Sequence, residues 1–233
     1  MNPSPPLTII IPTLNEADHL PALLATLTAA REPLTIIISD GGSHDATLLI
    51  AQKAGAHLIK GPPGRGLQLQ RGIDHAQTIH STGWFLLLHA DTALPPDWLT
   101  ALHPAFAHPQ RAHYGRLRFA SADPRARLFE AGVRLRCALF ALPYGDQSLL
   151  IHQSLLTVIG GIPPLPLMED VALARRLGRH RLAPLDLLVT TDASAYIRDG
   201  WFRRAAQNLT RLAQFTLTHA TPRATPRAAS YRR

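Results

Sequence analysis

The chain has 233 residues, of which 46% are hydrophobic, and it carries one cysteine and a formal net charge of +8. This length and composition suit one large α/β domain or two small ones and exclude a wholly disordered chain, while a lone Cys137 excludes an internal disulfide framework. No apolar run reaches the roughly 18 residues of a membrane span, and residues 1–6 lack the pattern of a signal peptide, so a cytoplasmic protein is expected.

The charge is unevenly distributed along the chain. Residues 1–110 carry 5 Lys or Arg and 8 Asp or Glu, whereas residues 111–233 carry 19 and 8. Two interpretations are open: a compositional bias towards arginine, or a second half that meets an anionic ligand or surface, because guanidinium groups suit phosphate. No nucleic-acid-binding motif is present, so no nucleic-acid partner is predicted.

The first hundred residues predict strands that alternate with helices. Short apolar runs typical of buried strands lie at 7–11, 34–38, 57–59 and 84–88. Helices are predicted from leucines at helical spacing over 20–27, and over 44–54 and 67–79. Asn15 is expected to cap the first helix, with Asp18 as part of a capping box. The alternation predicts an α/β fold with a mainly parallel sheet flanked by helices, which binds ligands beyond the C-terminal ends of its strands.

The second half is less regular. Strands are predicted at 114–119 and 148–152, and helices at 125–140, after Asp170, and at 201–218. The segment from Thr221 is rich in Ala, Pro and Arg and is predicted to be disordered.

Three carboxylates stand out. Asp40 and Asp91 each follow a buried strand, where a charged carboxylate is costly to keep unless it has a partner. Their matching positions suggest one shared partner. With Asp170, which precedes a helix, they suggest a site that holds a metal-bound nucleotide and activates a hydroxyl group.

The sequences IPTLNE at 11–16, DGGSHD at 40–45 and HAD at 89–91 resemble the nucleotide-sugar half of family 2 glycosyltransferases. The resemblance covers roughly residues 7–190. GRGLQ at 64–68, YGDQ at 144–147 and LPLMED at 165–170 resemble, within that family, small soluble bacterial members labelled for arsenosugar biosynthesis.

The resemblance implies a Rossmann-like GT-A fold in a single domain over 1–220, followed by a basic tail over 221–233. Residues 1–110 would bind the nucleotide sugar, and 111–220 would supply the acceptor and catalytic half. It further implies a nucleoside-diphosphate-sugar donor, most often a UDP-sugar, with Mg²⁺ or Mn²⁺ as cofactor and transfer that inverts the anomeric carbon. Hard oxygen ligands suit both ions.

The resemblance also implies roles for individual residues. Asp91 is the expected metal ligand, and Asp40 is expected to contact the nucleoside. His89 replaces the first Asp of the family's D-x-D and could add a nitrogen ligand, contact the sugar nucleotide, or simply pack. The residues predicted to contact the donor are Pro12, Thr13, Glu16, Asp40, Gly41, Arg65, Ala90 and Asp91.

On the acceptor side, Asp170 corresponds to the general base of the inverting members of the family. Glu169 and Asp146 are its rivals for that role. The acceptor itself is left open, as a small molecule or a lipid-linked sugar acceptor.

Simpler interpretations accompany these roles. Asp40 could close a tight turn, and Glu169 and Asp170 could serve only to stabilise a helix N-terminus. The His89 substitution also leaves open a nucleotide-binding protein without transferase activity. The helix at 201–218, which begins with Trp201, Phe202, Arg203 and Arg204, could lie on the inner membrane face or close the core of the domain.

Overall fold

The computed structural model describes residues 5–218, which form a seven-stranded sheet covered by helices. The strands are β1 (Leu7–Thr13), β2 (Thr35–Asp40), β3 (His57–Lys60), β4 (Trp84–Leu87), β5 (Ala112–Phe119), β6 (Leu149–His152) and β7 (Leu182–Thr191). The α-helices are α1 (Leu20–Thr28), α2 (Thr47–Lys53), α3 (Arg65–Ile79), α4 (Trp98–Leu102), α5 (Pro124–Phe140), α6 (Gln153–Val158), α7 (Glu169–Leu177), α8 (Ser194–Asp199) and α9 (Trp201–Thr218). Short 3₁₀ helices are η1 (His103–Ala107), η2 (Gly145–Gln147) and η3 (Arg179–Arg181).

The strand order is β3-β2-β1-β4-β6-β5-β7. Strands β1 to β4 are mutually parallel, β6 runs antiparallel to both β4 and β5, and β7 is parallel to β5. The predicted α/β class with a mainly parallel sheet is therefore confirmed. The C-terminal ends of β1, β2, β4, β5 and β7 lie along one edge, which is called the site edge below.

Alternation along β1 explains why both faces of the sheet are covered. Ile9 and Ile11 point into a core formed with the leucines of α1, whereas Ile10 points to the opposite face, against α3. Successive strand residues point to opposite faces, so a run of apolar residues supplies two cores at once. A third, smaller cluster lies between the ends of β5, α5 and α9 and includes Phe119 and Trp201.

Three features differ from the sequence-based expectation. Strand β7 was not predicted, because Pro184 interrupts its pattern; the register with β5 is irregular just after this proline. The short helices α4, α6 and α8 were also not predicted. The capping prediction for Asn15 was wrong: α1 begins at Leu20, and Asn15 has a φ of 57° and accepts a hydrogen bond from the His44 N–H.

Helix α9 matches the range predicted from sequence. Between residues 5 and 218, no helix is both long and apolar enough to cross a bilayer. The predicted disorder from Thr221 onwards concerns residues outside the described part of the chain, and the proposed division at residue 110 stays a prediction.

Candidate active site

The turn after β2 is organised by Asp40, which is fully buried. One carboxylate oxygen accepts hydrogen bonds from the backbone N–H groups of Gly42 and Ser43 at 2.8 and 2.9 Å. The other accepts the hydroxyls of Thr13, at 3.1 Å, and Ser43. Burial alone raises the pKa of Asp40, but the hydrogen bonds from Ser43 and the turn outweigh it and hold the pKa below its ordinary value of 3.8.

These bonds use about four acceptor positions, which is the capacity of a carboxylate. Asp40 therefore closes the tight turn, and it could accept from a nucleoside only after a hydroxyl of Thr13 or Ser43 rotates away. Gly41 also packs internally, because an added Cβ would lie 3.1 Å from both Gln68 and Pro63. Gly42, with a φ of 103° and nothing within 4 Å of an added Cβ, is the glycine that needs its conformational freedom.

Two side chains of α3 hold the site edge together, and neither was predicted as a site residue. Gln68 is buried, and its amide nitrogen donates to the carbonyls of Thr13 and Ser39 at 2.8 and 2.9 Å, while its oxygen accepts from the Gly64 N–H. Arg71 donates to the Asp40 carbonyl at 2.9 Å. A polar pair three residues apart at the start of an amphipathic helix was the available signal, since such residues share a face.

Asp91 lies just beyond β4 and is partly exposed. Its carboxylate accepts the Thr191 hydroxyl at 3.1 Å, and a short bridge between Ala93 and Thr190 fixes the same segment against β7. The adjacent Ala90 is buried, so it could contact a ligand only through its backbone. Burial raises the pKa of Glu16, and the charge of Asp91 raises it further. The carboxylates that follow β1 and β4 therefore lie near each other.

Asp170 is the second residue of α7 and is only partly buried. One of its oxygens accepts the Gly145 N–H at 2.8 Å, and the other accepts the Val171 N–H at 2.7 Å. A Cβ added to Gly145 would lie 2.6 Å from the Nε2 atom of His89 and 3.6 Å from Asp170. His89, Gly145 and Asp170 are thus packed against one another.

His89 is neutral at physiological pH. Burial, and secondarily the charge of Arg65, lowers its pKa from 6.5 to about 3. It lines a small apolar cavity with Asp170 and leucines of β4 and α7. The contacts of His89 fit packing, and its roles as a nitrogen ligand or as a contact of the sugar nucleotide stay predictions.

Glu169 is 2% exposed, and within the described chain neither of its carboxylate oxygens has a hydrogen-bond partner. Its counter-charge is Arg65, the first residue of α3, whose Nε atom is 3.6 Å from Oε1. Burial and the charge of Asp170 raise the pKa of Glu169 to about 7, and Arg65 opposes them. The start of α3 also contacts the loop before α7, because the Gly66 N–H donates to the Leu165 carbonyl.

Asp146, in η2, is the third carboxyl group at this site with a raised pKa, after Glu16 and Glu169. Burial is the main cause and brings the pKa to about 6; the charge of Arg136 opposes it, while Asp170 and Asp91 add to it. Among residues 5–218 its Oδ1 atom is buried without a hydrogen-bond partner. Arg136 stacks over the Tyr144 ring at 3.4 Å from the centroid, so α5 brings a fixed positive charge to this side of the site.

The carboxylate oxygens at this site suit a divalent cation that is bound together with a ligand. In the described chain no three His, Cys, Asp or Glu side chains are grouped so as to hold an ion by themselves. Asp91 and the unpartnered Oδ1 of Asp146 nevertheless lie close enough for their charges to interact. Mg²⁺ is commonly held by one or two carboxylates plus substrate phosphates, so Asp91 and Asp146 are the residues that would hold an ion together with a ligand.

The structure therefore brings the predicted residues to one edge in two adjoining groups. Pro12, Thr13, Asp40 and Gly41 surround the turn at the ends of β1 and β2. Glu16, Arg65, Asp91, Asp146, Glu169 and Asp170 form the second group, which their mutual electrostatic effects define. Sequence reasoning missed Gln68, Arg71 and the position of Arg136.

Sequence comparison relates the chain to a known family. Residues 8–142 match the family description "Glycosyl transferase family 2". Uncharacterized glycosyltransferases of Mycobacterium tuberculosis and Mycobacterium bovis are 36% identical over 72 residues, which cover 30% of this chain and 32% of each relative. The match thus spans about a third of the length of these curated relatives.

Solved structures share the architecture at low identity. TarS (residues 1–349) of S. aureus aligns with a TM-score of 0.61 at 15% identity, over 81% of this chain and 60% of that one. Glucosyl-3-phosphoglycerate synthase from Mycobacterium tuberculosis, in complex with Mn²⁺, UDP and glucosyl-3-phosphoglycerate, aligns with a TM-score of 0.55 at 18% identity, over 81% and 71%. At these identities the likeness establishes the fold. The chain belongs to glycosyltransferase family 2 and has the GT-A fold.

Proposed function

We propose that the protein transfers a sugar from a nucleoside diphosphate, most simply a UDP-sugar, to an acceptor hydroxyl group with inversion. The observation that carries this proposal is the meeting of Asp91, Asp146, Glu169 and Asp170 at one sheet edge beside Arg65. A complex of the synthase named above contains Mn²⁺ and UDP-glucose, which supports the donor class.

The donor is held by the turn and by the start of α3. The turn closed by Asp40 lies at the nucleoside end, with Pro12, Thr13, Glu16 and Gly41 around it. Arg65 opens a 15-residue helix, so its charge adds to the positive end of the helix dipole, where a diphosphate is favoured. The nucleotide roles of these residues remain predictions.

Asp91, with Asp146 beside it, would hold Mg²⁺ or Mn²⁺ against the diphosphate. A bound divalent cation neutralises the charge that develops on the leaving diphosphate. A cation between two carboxylates offsets the repulsion between their like charges. A bound cation would therefore stabilise Asp91 and Asp146 in their neighbouring positions.

Asp170 is assigned as the general base. It must remove the proton of the acceptor hydroxyl as that oxygen attacks the anomeric carbon, in a single displacement that inverts the centre. Asp170 is partly exposed and is held by Gly145, whereas Glu169 is almost completely buried and cannot meet an acceptor. Glu169 instead places a negative charge beside Arg65.

The test is transfer or hydrolysis of UDP-sugars in the presence of Mn²⁺. Asp170→Asn should reduce turnover by about 10²-fold or more, since a positioned general base contributes roughly that factor. Asp91→Asn should also reduce turnover, because it removes the charged ligand that would hold the cation. Asp186→Asn, on an exposed side chain of β7, is the matched control and should retain full activity. Equal activity in all four proteins would refute the assignment.

The alternative, a nucleotide-binding protein of the same fold without transferase activity, makes a different prediction. Calorimetric titration with UDP would then show binding that does not depend on Mn²⁺, with no turnover of any UDP-sugar. The acceptor, a cytoplasmic location, bacterial origin and membership of the arsenosugar-labelled subfamily stay predictions.

A further inference from the structure

The first turn of α9 packs against the N-terminal half of α5, beyond the end of β5. The Trp201 indole N–H donates to Asp123 at 3.1 Å, and the rings of Phe129 and Phe202 are 5.4 Å apart. Inward-facing residues of both helices are buried, including Cys137, Trp201 and Phe215. The expectation that α9 closes a core is thus confirmed for its inner face.

Each helix also has an apolar row on its outer face. On α5, Leu128, Leu135 and Leu139 are 61%, 58% and 55% exposed, and Gly132 lies between the first two on the same row. These positions are four, three and four residues apart, so they line one side of the helix. The last residue of α5, Phe140, is 65% exposed.

Helix α9 repeats this pattern. Phe202 and Leu209 are each 65% exposed and Leu217 is 82% exposed, and the exposed alanines Ala206 and Ala213 fill the intervening positions of the row. The two rows together are called the α5/α9 face. Single exposed apolar residues are ordinary, but two rows on neighbouring helices mark an interaction surface.

The charge that accompanies these rows is positive. Helix α9 contains three arginines and no Asp or Glu, and α5 contains four arginines and one acidic residue. That residue, Glu130, is buried and paired with Arg127. Asp123 and Asp199, which precede the two helices, pair with Arg125 and Arg204. In the described chain the other four arginines of α5 and α9 form no ion pair, so the balance is still positive. The sequence at 219–233 adds four more arginines and no Asp or Glu.

We propose that the α5/α9 face docks on the surface of an anionic phospholipid bilayer, with α9 lying in the plane of the interface. Apolar rows flanked by arginine are the pattern of helices that bind at such surfaces, because the rows enter the acyl boundary while the guanidinium groups meet lipid phosphates. A second copy of the chain is a poorer occupant, since two positively charged faces repel each other. The inference does not depend on the transferase activity.

The face also adjoins the acceptor side of the candidate active site. Arg136, on α5, stacks on Tyr144 beside Asp146, and the N-terminus of α9 packs on Phe119 at the end of β5. Docking would therefore bring the acceptor side of the site edge close to the lipid headgroups.

The test is co-sedimentation of the full chain with vesicles of equal parts phosphatidylcholine and phosphatidylglycerol, compared with phosphatidylcholine alone. Wild type should bind the anionic vesicles and lose binding at high salt. The double variant Phe202→Glu with Leu209→Glu should bind about tenfold more weakly, since it removes apolar insertion and adds negative charge. Both positions are exposed, but Phe202 also contacts the Phe129 ring, so the melting temperature of the double variant is measured alongside its vesicle binding.

Leu49→Glu is the matched control, because Leu49 is 53% exposed but lies on α2, away from the face. It should bind the vesicles as wild type does. Absence of wild-type binding to anionic vesicles, or an equal loss in Leu49→Glu, would overturn the proposal. The proposal would also be overturned if sedimentation equilibrium showed that wild type is a dimer and that the Phe202/Leu209 double variant is a monomer. Should that double variant fail to fold, Arg203→Gln with Arg211→Gln serves in its place, and unchanged vesicle binding would count against the proposal.

Discussion

Replacing Glu169 with Gln should make the protein's stability less dependent on pH. Burial, with Asp170 adding to it, raises the pKa of Glu169 from 4.5 to about 7, and the neighbouring Arg65 offsets only part of this. Below pH 4.5 the carboxyl is protonated in both the folded and the unfolded chain, so it does not affect their balance. Between pH 4.5 and 7 the unfolded chain releases the proton while the folded chain retains it, so the free energy of unfolding falls as pH rises.

The size of the effect follows from the displacement of the pKa. Each unit corresponds to about 1.4 kcal/mol, so ionised Glu169 costs the folded protein about 3 kcal/mol above pH 7. Glu169→Gln has the same shape and no proton to release. The variant should therefore gain about 3 kcal/mol relative to wild type between pH 4.5 and pH 8. The attraction of Arg65 acts only on the ionised carboxylate and is already contained in the pKa of about 7.

The measurement is urea unfolding followed by circular dichroism at several values between pH 4.5 and 8. Asp186→Asn is the control, because the Asp186 side chain is 87% exposed. The free energy of unfolding of this variant should differ from that of wild type by a nearly constant amount over this pH range. If the difference in the free energy of unfolding between Glu169→Gln and wild type does not change with pH, the burial and pairing assigned to Glu169 are wrong.

Two further substitutions probe how the site edge is held. Gly66→Ala would place a Cβ 2.2 Å from the Pro163 carbonyl oxygen, so it should lower the melting temperature and weaken UDP binding. Gly132→Ala is the control: its Cβ would lie in open space on α5, so the melting temperature should rise slightly. The melting temperatures are measured by differential scanning calorimetry, and equal shifts in the two variants would contradict the packing described. Gln68→Leu removes the amide bonds to Thr13 and Ser39 and should cost about 2–3 kcal/mol in urea unfolding, with a loss of less than 0.5 kcal/mol being incompatible with its role.

The site residues and strands that could be predicted from the sequence are those marked by a local sequence pattern. Asp40 and Asp91 follow apolar runs that are recognisable as strands, so their place at the site edge could be predicted. Gln68 binds partners that are distant in sequence, and Arg136 stacks on Tyr144 in the loop after α5, so a local pattern such as the polar pair at the start of α3 can mark a shared face but cannot identify the partners. Pro184 concealed β7, because a proline within an alternating pattern argues against a strand unless the pairing is irregular at that point.

The reversed direction of β6 has a consequence for how this enzyme family could diversify. Because β5 ends at the site edge and β6 begins there, the segment between them, 120–148, leaves the sheet and returns at the same edge. That one excursion contains α5, Arg136 and Asp146, and so part of both the α5/α9 face and the acceptor side. The excursion can be lengthened, shortened or exchanged while the strands beneath it and the donor half keep their register. On the proposals above, a change in this one segment would alter the acceptor side and the α5 part of the α5/α9 face together, while α9 and the strands beneath stay as they are.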